Sequence, residues 1–290
     1  STAIEDADDE TEGLMLMGDL NDDGFDDIVI STPEADLVSM TDNGRVAVYY
    51  GSSSGLSELP DMIYAGASDG AQFGFGMDLG DFNNDGVLDL AVGSPGWAPA
   101  DDPTTRHGMV HVYLGNASGV SASPWSNLTG VANESLGSAV AALHHANSGD
   151  GLAATARNHT VQVSPTQVDD GKVNLYTGNQ SGLHPMRNLT QTENGGLFGR
   201  SLEACDVNND GFDELIVGNT GTYDAPATYS SVEYFFGSTS GYNGTADHTV
   251  ASITQGRLFG LNIACVGDLN GDGFDEHIVS DPFNSTQSLS

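Results

Sequence analysis

Lysine is almost missing from this 290-residue chain. Lys172 is the single copy, and basic residues number 7 in all against 41 acidic ones. The resulting net charge of −34 argues against nucleic acid or an anionic membrane surface as partner. Cysteine is equally scarce. Two residues, Cys205 and Cys265, cannot build a disulfide framework, and either form one bridge or remain two buried thiols. No run of eighteen apolar residues occurs, so no segment reads as a membrane-spanning helix. There is no initiator methionine and no leader: starting at Ser1, the sequence reads as a processed product or an excerpt. Hydrophobic residues make up 38%, below the globular average.

Glycine and acid are abundant instead. The 38 glycines suit short strands joined by many turns. Part of the acid reads as metal ligand, and the rest suits a surface in high salt, where screening removes self-repulsion. With so little lysine, that composition points to a halophilic or marine source. Eight Asn-x-Ser/Thr sequons, at Asn116, Asn127, Asn133, Asn158, Asn179, Asn188, Asn243 and Asn284, point to an extracellular glycoprotein.

The acid is not scattered. The pattern Asp-x-Asn-x-Asp-Gly-x-x-Asp/Glu opens at Asp19, Asp81, Asp206 and Asp268, with gaps of 62, 125 and 62 residues. The double gap marks a worn copy near residue 144, reading His144-His145-Ala146-Asn147-Ser148-Gly149-Asp150-Gly151. Five copies of about 62 residues result. Positions 1, 3, 5 and 9 supply side-chain oxygens: Asp19, Asn21, Asp23 and Asp27; Asp81, Asn83, Asp85 and Asp89; Asp206, Asn208, Asp210 and Glu214; Asp268, Asn270, Asp272 and Glu276. Position 7 can add a backbone carbonyl, from Phe25, Val87, Phe212 or Phe274, and the glycine at position 6 permits the sharp turn. Hard oxygens in a flexible ring suit Ca²⁺, about four ions in all. An EF-hand would need a bidentate Glu at position 12, where Ile30, Val92, Val217 and Val279 stand. The worn copy has Ala146 at position 3 and should hold no calcium. Its histidines, adjacent in sequence, would point to opposite faces of a strand and read as surface or packing residues.

Each copy also carries short apolar runs. Before the loop comes Phe73-Gly74 in the second copy, Leu197-Phe198-Gly199 in the fourth and Leu258-Phe259-Gly260 in the fifth. After it comes Leu90-Ala91-Val92-Gly93-Ser94-Pro95 or its counterpart. An alternating strand follows, such as Met109-Val110-His111-Val112-Tyr113, then a glycine turn, then a weaker outer strand such as Asp61-Met62-Ile63-Tyr64. Four antiparallel strands per repeat describe one propeller blade, which needs neighbours to bury both faces. The expected fold is all-β: a β-propeller domain over residues 1–290, with blades near 13–66, 67–130, 131–193, 194–255 and an incomplete 256–290. Residues near Ile4 align with the end of an outer strand and are candidates to close the last blade.

The segment from Phe73-Gly74 to Gly93-Ser94-Pro95 closely resembles the FG-GAP repeat of integrin α-subunit β-propellers, and the resemblance runs along essentially the whole chain. It implies a radial propeller with calcium in loops on one face and ligand binding on the other. The chain departs from that pattern. Five copies stand where seven blades are common, Glu12-Gly13 replaces Phe-Gly in the first, and the third has lost its cage.

No catalytic constellation emerges. Gly51-Ser52-Ser53-Ser54-Gly55 matches a nucleophile pattern but is one of four equivalent glycine turns. The expected function is non-catalytic recognition or adhesion, extracellular or at the cell surface, with an extracellular protein or glycan as ligand. Long loops near 31–44, 94–108, 157–171 and 218–230 would carry it, with Trp97, Arg106, His107 and Tyr223 as candidate contacts. The alternative is a structural subunit of a surface layer, sheath or filament, in which a neighbouring molecule completes the last blade and a homopolymer results.

Overall fold

The computed structural model describes residues 13–37, 39–145, 149–158, 160–163, 166–169, 171–190, 196–221, 230–252 and 258–282. Among them every regular element is a strand. The fold class is the expected one, an all-β chain of repeated four-stranded antiparallel sheets of the β-propeller type. The first sheet holds β1 (Met15–Gly18), β2 (Asp27–Thr32), β3 (Arg45–Tyr49) and β4 (Met62–Ala65) in chain order. The second holds β5 (Met77–Gly80), β6 (Asp89–Ser94), β7 (Met109–Tyr113) and β8 (Ser126–Thr129). The third is built from β9 (Leu136–Leu143), β10 (Gly151–Ala156), β13 (Lys172–Asn179) and β14 (Gly182–Thr190). Between β10 and β13, where the sequence suggested a plain loop, a two-stranded hairpin forms from β11 (Thr160–Val163) and β12 (Thr166–Asp169). The fourth sheet is β15 (Gly196–Cys205), β16 (Glu214–Gly221), β17 (Ser231–Phe235) and β18 (His248–Ala251), and the fifth is the pair β19 (Ile263–Gly267) and β20 (Glu276–Val279).

The chain divides into two compact units, Ser1–Val140 with Gln180–Gly182, and Ala141–Asn179 with Leu183–Ser290. In the first unit a single core joins the first two sheets. Leu20, Val29, Val46, Val48 and Tyr64 from one pack with Phe73, Met77, Leu79, Leu90, Val92 and Tyr113 from the other. β6 is buried along its whole length because both its faces meet a neighbour. In the second unit Cys205, Ile216, Val232, Tyr234 and Ile263 form the corresponding cluster.

The Phe-Gly element is the joint between sheets. Phe73 is 1% exposed and Phe198 likewise, which contributes roughly 2–3 kcal/mol of burial each. The following glycine has a left-handed backbone: φ is 93° at Gly74, 95° at Gly137, 79° at Gly199 and 82° at Gly260. It also lies flat on the preceding sheet. A Cβ on Gly74 would sit 2.7 Å from Ser31 Cβ, and one on Gly93 would run into the Gly137 carbonyl. The glycine thus meets two demands, one torsional and one of space.

One sheet face lacks this cover. Met15 and Met17 of β1 are 62% and 60% exposed, whereas Met77 and Leu79, the same positions one repeat later, are 5% and 8% exposed. Across the ladder from Met15 stand Ile30, then Ala47, then Ile63, and the two isoleucines are exposed as well.

Candidate metal centre

The four acid loops share one hydrogen-bond scheme. The first carboxylate receives two backbone N–H groups from across the loop. Asp23 and Gly24 donate to Asp19 at 3.2 and 2.8 Å, Asp85 and Gly86 to Asp81 at 2.9 and 2.9 Å, Asp210 and Gly211 to Asp206 at 3.1 and 2.9 Å, and Asp272 and Gly273 to Asp268 at 3.1 and 2.8 Å. The fifth-position carboxylate receives the N–H of Phe25, Val87, Phe212 or Phe274, at 3.0 to 3.1 Å. The ninth receives the N–H of position 2: Leu20 donates to Asp27, Phe82 to Asp89, Val207 to Glu214 and Leu269 to Glu276. Each loop is therefore wound around its own acids.

Two features escaped the sequence reading. Position 4 is left-handed like position 6, with φ of 56° at Asp22, 60° at Asn84, 57° at Asn209 and 78° at Gly271. Asp, Asn and Gly are the residues that tolerate it, so the signal was present in the sequence. The ninth-position carboxylate also has a second task. Its other oxygen accepts the N–H of the glycine that ends the third strand, Gly51 on Asp27 at 2.8 Å and Gly115 on Asp89 at 2.9 Å.

The residues present fit a hard divalent cation. Asn83 Oδ1 and Asn208 Oδ1, at position 3, are buried and accept no hydrogen bond, although the Asn83 amide nitrogen is held by Asp85 Oδ2 at 2.8 Å. An amide oxygen stranded beside carboxylates is costly unless a cation meets it. In the fifth loop one carboxylate oxygen from each of Asp268, Asp272 and Glu276 lies within 4.8 Å of the others. Like charges this close repel one another, and a cation between them removes that repulsion. The electrostatics differ between the loops. Burial, and then Asp85 and Asp81, push Asp89 up to about 7, and burial with Asp210 and Asp206 does the same to Glu214. Asp268 moves the other way: the N–H groups of Gly273, Gly271, Asp272 and Asn270 hold it below the usual carboxylate range.

A family model described as FG-GAP repeat matches residues 15–49, 73–113 and 198–232. The chain carries FG-GAP repeats. These three matches are the first, second and fourth copies, all with an intact acid loop. Among curated relatives, a phosphatidylinositol-glycan-specific phospholipase D of Mus musculus is 37% identical over 117 residues, covering 38% of this chain and 14% of that protein. Integrin alpha-6 of Homo sapiens is 35% identical over 114 residues, covering 39% and 9%. Integrin alpha-PS3 of Drosophila melanogaster is 34% identical over 116 residues, covering 39% and 10%. The match thus spans about a tenth of the length of these relatives. Among solved structures, a Bacillus licheniformis rhamnogalacturonan lyase superposes with a TM-score of 0.49 at 11% identity, covering 92% of this chain and 54% of that one.

The third repeat has a different loop. Register places Gly151, beside Leu152↔Tyr176, where the second copy has Asp89, beside Leu90↔Tyr113, so the ninth carboxylate is gone. His144 is exposed and its Nδ1 lies 2.8 Å from Asp150 Oδ2, while its N–H donates to Asp213 Oδ2 at 2.7 Å. His145 packs its ring 5.8 Å from Phe212 and 6.3 Å from Tyr242. Ala146 and Ser148 lie outside the described residues, as do Tyr223 and Asn284. Of the other candidate contacts, Arg106 is exposed, but Trp97 is half-buried with its ring edge-on to His107 at 6.4 Å. The Trp97 carbonyl accepts the N–H of His107 and of Gly108, each at 3.0 Å, which closes the neck of that loop. Ser52–Gly55 is a turn, with Gly55 N–H on the Ser52 carbonyl at 2.9 Å. The cysteines are bonded: Cys205 and Cys265 form a disulfide with Cα atoms 5.7 Å apart. No helix among the described residues is long and apolar enough to cross a membrane.

Proposed function

We propose that this chain is an extracellular, calcium-binding FG-GAP propeller that acts as a non-catalytic recognition or adhesion module for a protein or glycan. The buried, unpartnered amide oxygens of Asn83 and Asn208 inside carboxylate loops carry the calcium part of the reading. Residues 1, 3, 5 and 9 of each loop would hold the ion, with the position-7 carbonyl as a further donor. Bound calcium supplies charge neutralisation and order, and the protein does no chemistry with it. The disulfide favours an oxidising compartment. Seven of the sequon asparagines, Asn116, Asn127, Asn133, Asn158, Asn179, Asn188 and Asn243, are exposed, as glycan acceptors must be. Resemblance to integrin α chains supports adhesion over catalysis. The loop around Trp97, Arg106 and His107, held at its neck, offers the recognition surface.

Calorimetric titration of the chelator-treated protein tests the ion. About four Ca²⁺ should bind with a gain in thermal stability, and no uptake would overturn the reading. A glycan and protein array probed with the calcium-loaded chain tests recognition.

The exposed face of Met15, Met17, Ile30 and Ile63 favours a second reading, the structural subunit of a layer or filament. Sedimentation in calcium separates the two: a monomer excludes the filament.

A further inference from the structure

The fourth and fifth acid loops are joined to each other at three points. The carbonyl of Asp206, which opens the fourth loop, accepts the N–H of Asp275 from the fifth at 3.2 Å. The disulfide ties Cys205, the residue immediately before Asp206, to Cys265 in β19, the strand that leads into the fifth loop. Asn209, in the fourth loop, rests on the fifth: its Nδ2 lies 2.8 Å from where a Cβ on Gly273 would be. Asp275 in turn precedes Glu276, the position-9 ligand of the fifth loop, so the joint bears directly on a ligand.

Two effects compete when one loop fills. A first cation weakens the field that draws the second, which is an unfavourable Coulomb term. The fifth loop is largely exposed while the fourth is half-buried, with Glu214 fully buried, so salt screens that term, over about 8 Å, mainly on the side of the fifth loop. Ordering works the other way. A cation that fixes Asp206 fixes the carbonyl on which Asp275 hangs, so the second ion finds its loop already ordered and loses less conformational entropy. Cross-linked backbone makes ordering the larger effect.

We propose that the fourth and fifth loops take up calcium as a coupled pair, with the Cys205–Cys265 bridge as the coupling element. The first and second loops lie in a unit without cysteine and do not depend on the bridge. The bridge is a positioning group, since neither cysteine is among the loop ligands. The proposal rests on the calcium reading above and deepens it.

Titration of the native protein and of a Cys205→Ala/Cys265→Ala variant with Ca²⁺ tests it. Removing the bridge should lower affinity about tenfold at two sites and leave two unchanged. In the disulfide-bonded protein, Asp272→Asn in the fifth loop should weaken the fourth about fivefold, and Asp210→Asn should weaken the fifth equally, because linkage is reciprocal. Asp85→Asn, in the second loop, should affect neither. These single substitutions keep the test valid if the bridge-free variant does not fold. Equal weakening of all four sites without the bridge, or an unchanged fourth site in Asp272→Asn, would overturn the coupling. Absence of any uptake by the native protein would overturn the calcium reading instead.

Discussion

Asn83 condenses the logic of the acid loops into one residue. Its amide oxygen is buried without a partner, a situation that costs about 1–3 kcal/mol. Asn83→Leu should therefore leave the calcium-free protein as stable as before, or more so, while removing one site. In calcium at a hundred times the dissociation constant, that loss should lower stability by about 2.7 kcal/mol relative to the parent. Paired thermal melts with chelator and with calcium check both halves. A drop of equal size in the two conditions would make Asn83 an ordinary packing residue.

His111 makes a different kind of prediction. Burial between Phe73, at 5.4 Å, and Tyr113, at 6.3 Å, depresses its pKa below the ordinary value of 6.5, although Asn127 Oδ1 lies 2.9 Å from its Nδ1. The unfolded chain thus takes up the proton more readily than the folded one. Its contribution to stability is complete above pH 6.5 and is lost as pH falls from there towards the folded pKa. His145 and His277 are depressed by burial in the same direction. Urea unfolding of calcium-saturated protein should give lower stability at pH 5.5 than at pH 7.5. His111→Gln should reduce that slope, by at most about 1.4 kcal/mol per pH unit. An unchanged slope would show that the ring titrates normally.

At the scale of the element, the sheet-to-sheet joint decides stability. Gly93 on β6 and Gly137 on β9 meet backbone to backbone, with no room for a methyl group on Gly93. Gly93→Ala should cost on the order of 3 kcal/mol, the upper end for overpacking, because backbone rather than a flexible side chain must move. Gly55→Ala, at the tip of an open turn, meets no atom within 4 Å and carries only the penalty of its φ of 91°, about 1 kcal/mol. Chemical denaturation of the two variants ranks them, and an equal cost would remove close approach as the reason for glycine at Gly93.

Seen as a whole, the molecule is an acidic surface with its few special groups sorted by depth. Among the described residues the sequon asparagines and Arg106 are exposed, the ninth-position acids Asp27, Asp89 and Glu214 are buried, and Phe73 and Phe198 of the Phe-Gly joints lie within. Expression through a eukaryotic secretory pathway should yield a protein heavier than its 30.1 kDa, returning to that mass after treatment with a peptide N-glycosidase. Mass spectrometry would then find deamidated Asn at several of the seven exposed sequons. An unmodified product would leave the sequons as chance. Removal of the disulfide, which closes a loop of separation 60, should cost up to about 4 kcal/mol by chain entropy, read as a fall in the urea midpoint.

What the chain determined by its order of residues was everything that closes over short distances. The acid loops are self-contained within nine residues, and each strand declares itself by alternation and by the glycine that ends it. The class of fold, the repeat and the set of candidate ligands were therefore legible before any coordinates. Tertiary structure decided what depends on residues about sixty apart meeting. It paired Cys205 with Cys265, although they occupy unequal positions in their repeats. It turned the loop at 157–171 into a hairpin, and it pinned Gly51 to Asp27 across 24 residues. It also left Met15 and Met17 open while burying their counterparts, Met77 and Leu79. Similar local signals end in opposite environments because burial belongs to the neighbour a sheet finds, and not to the strand itself.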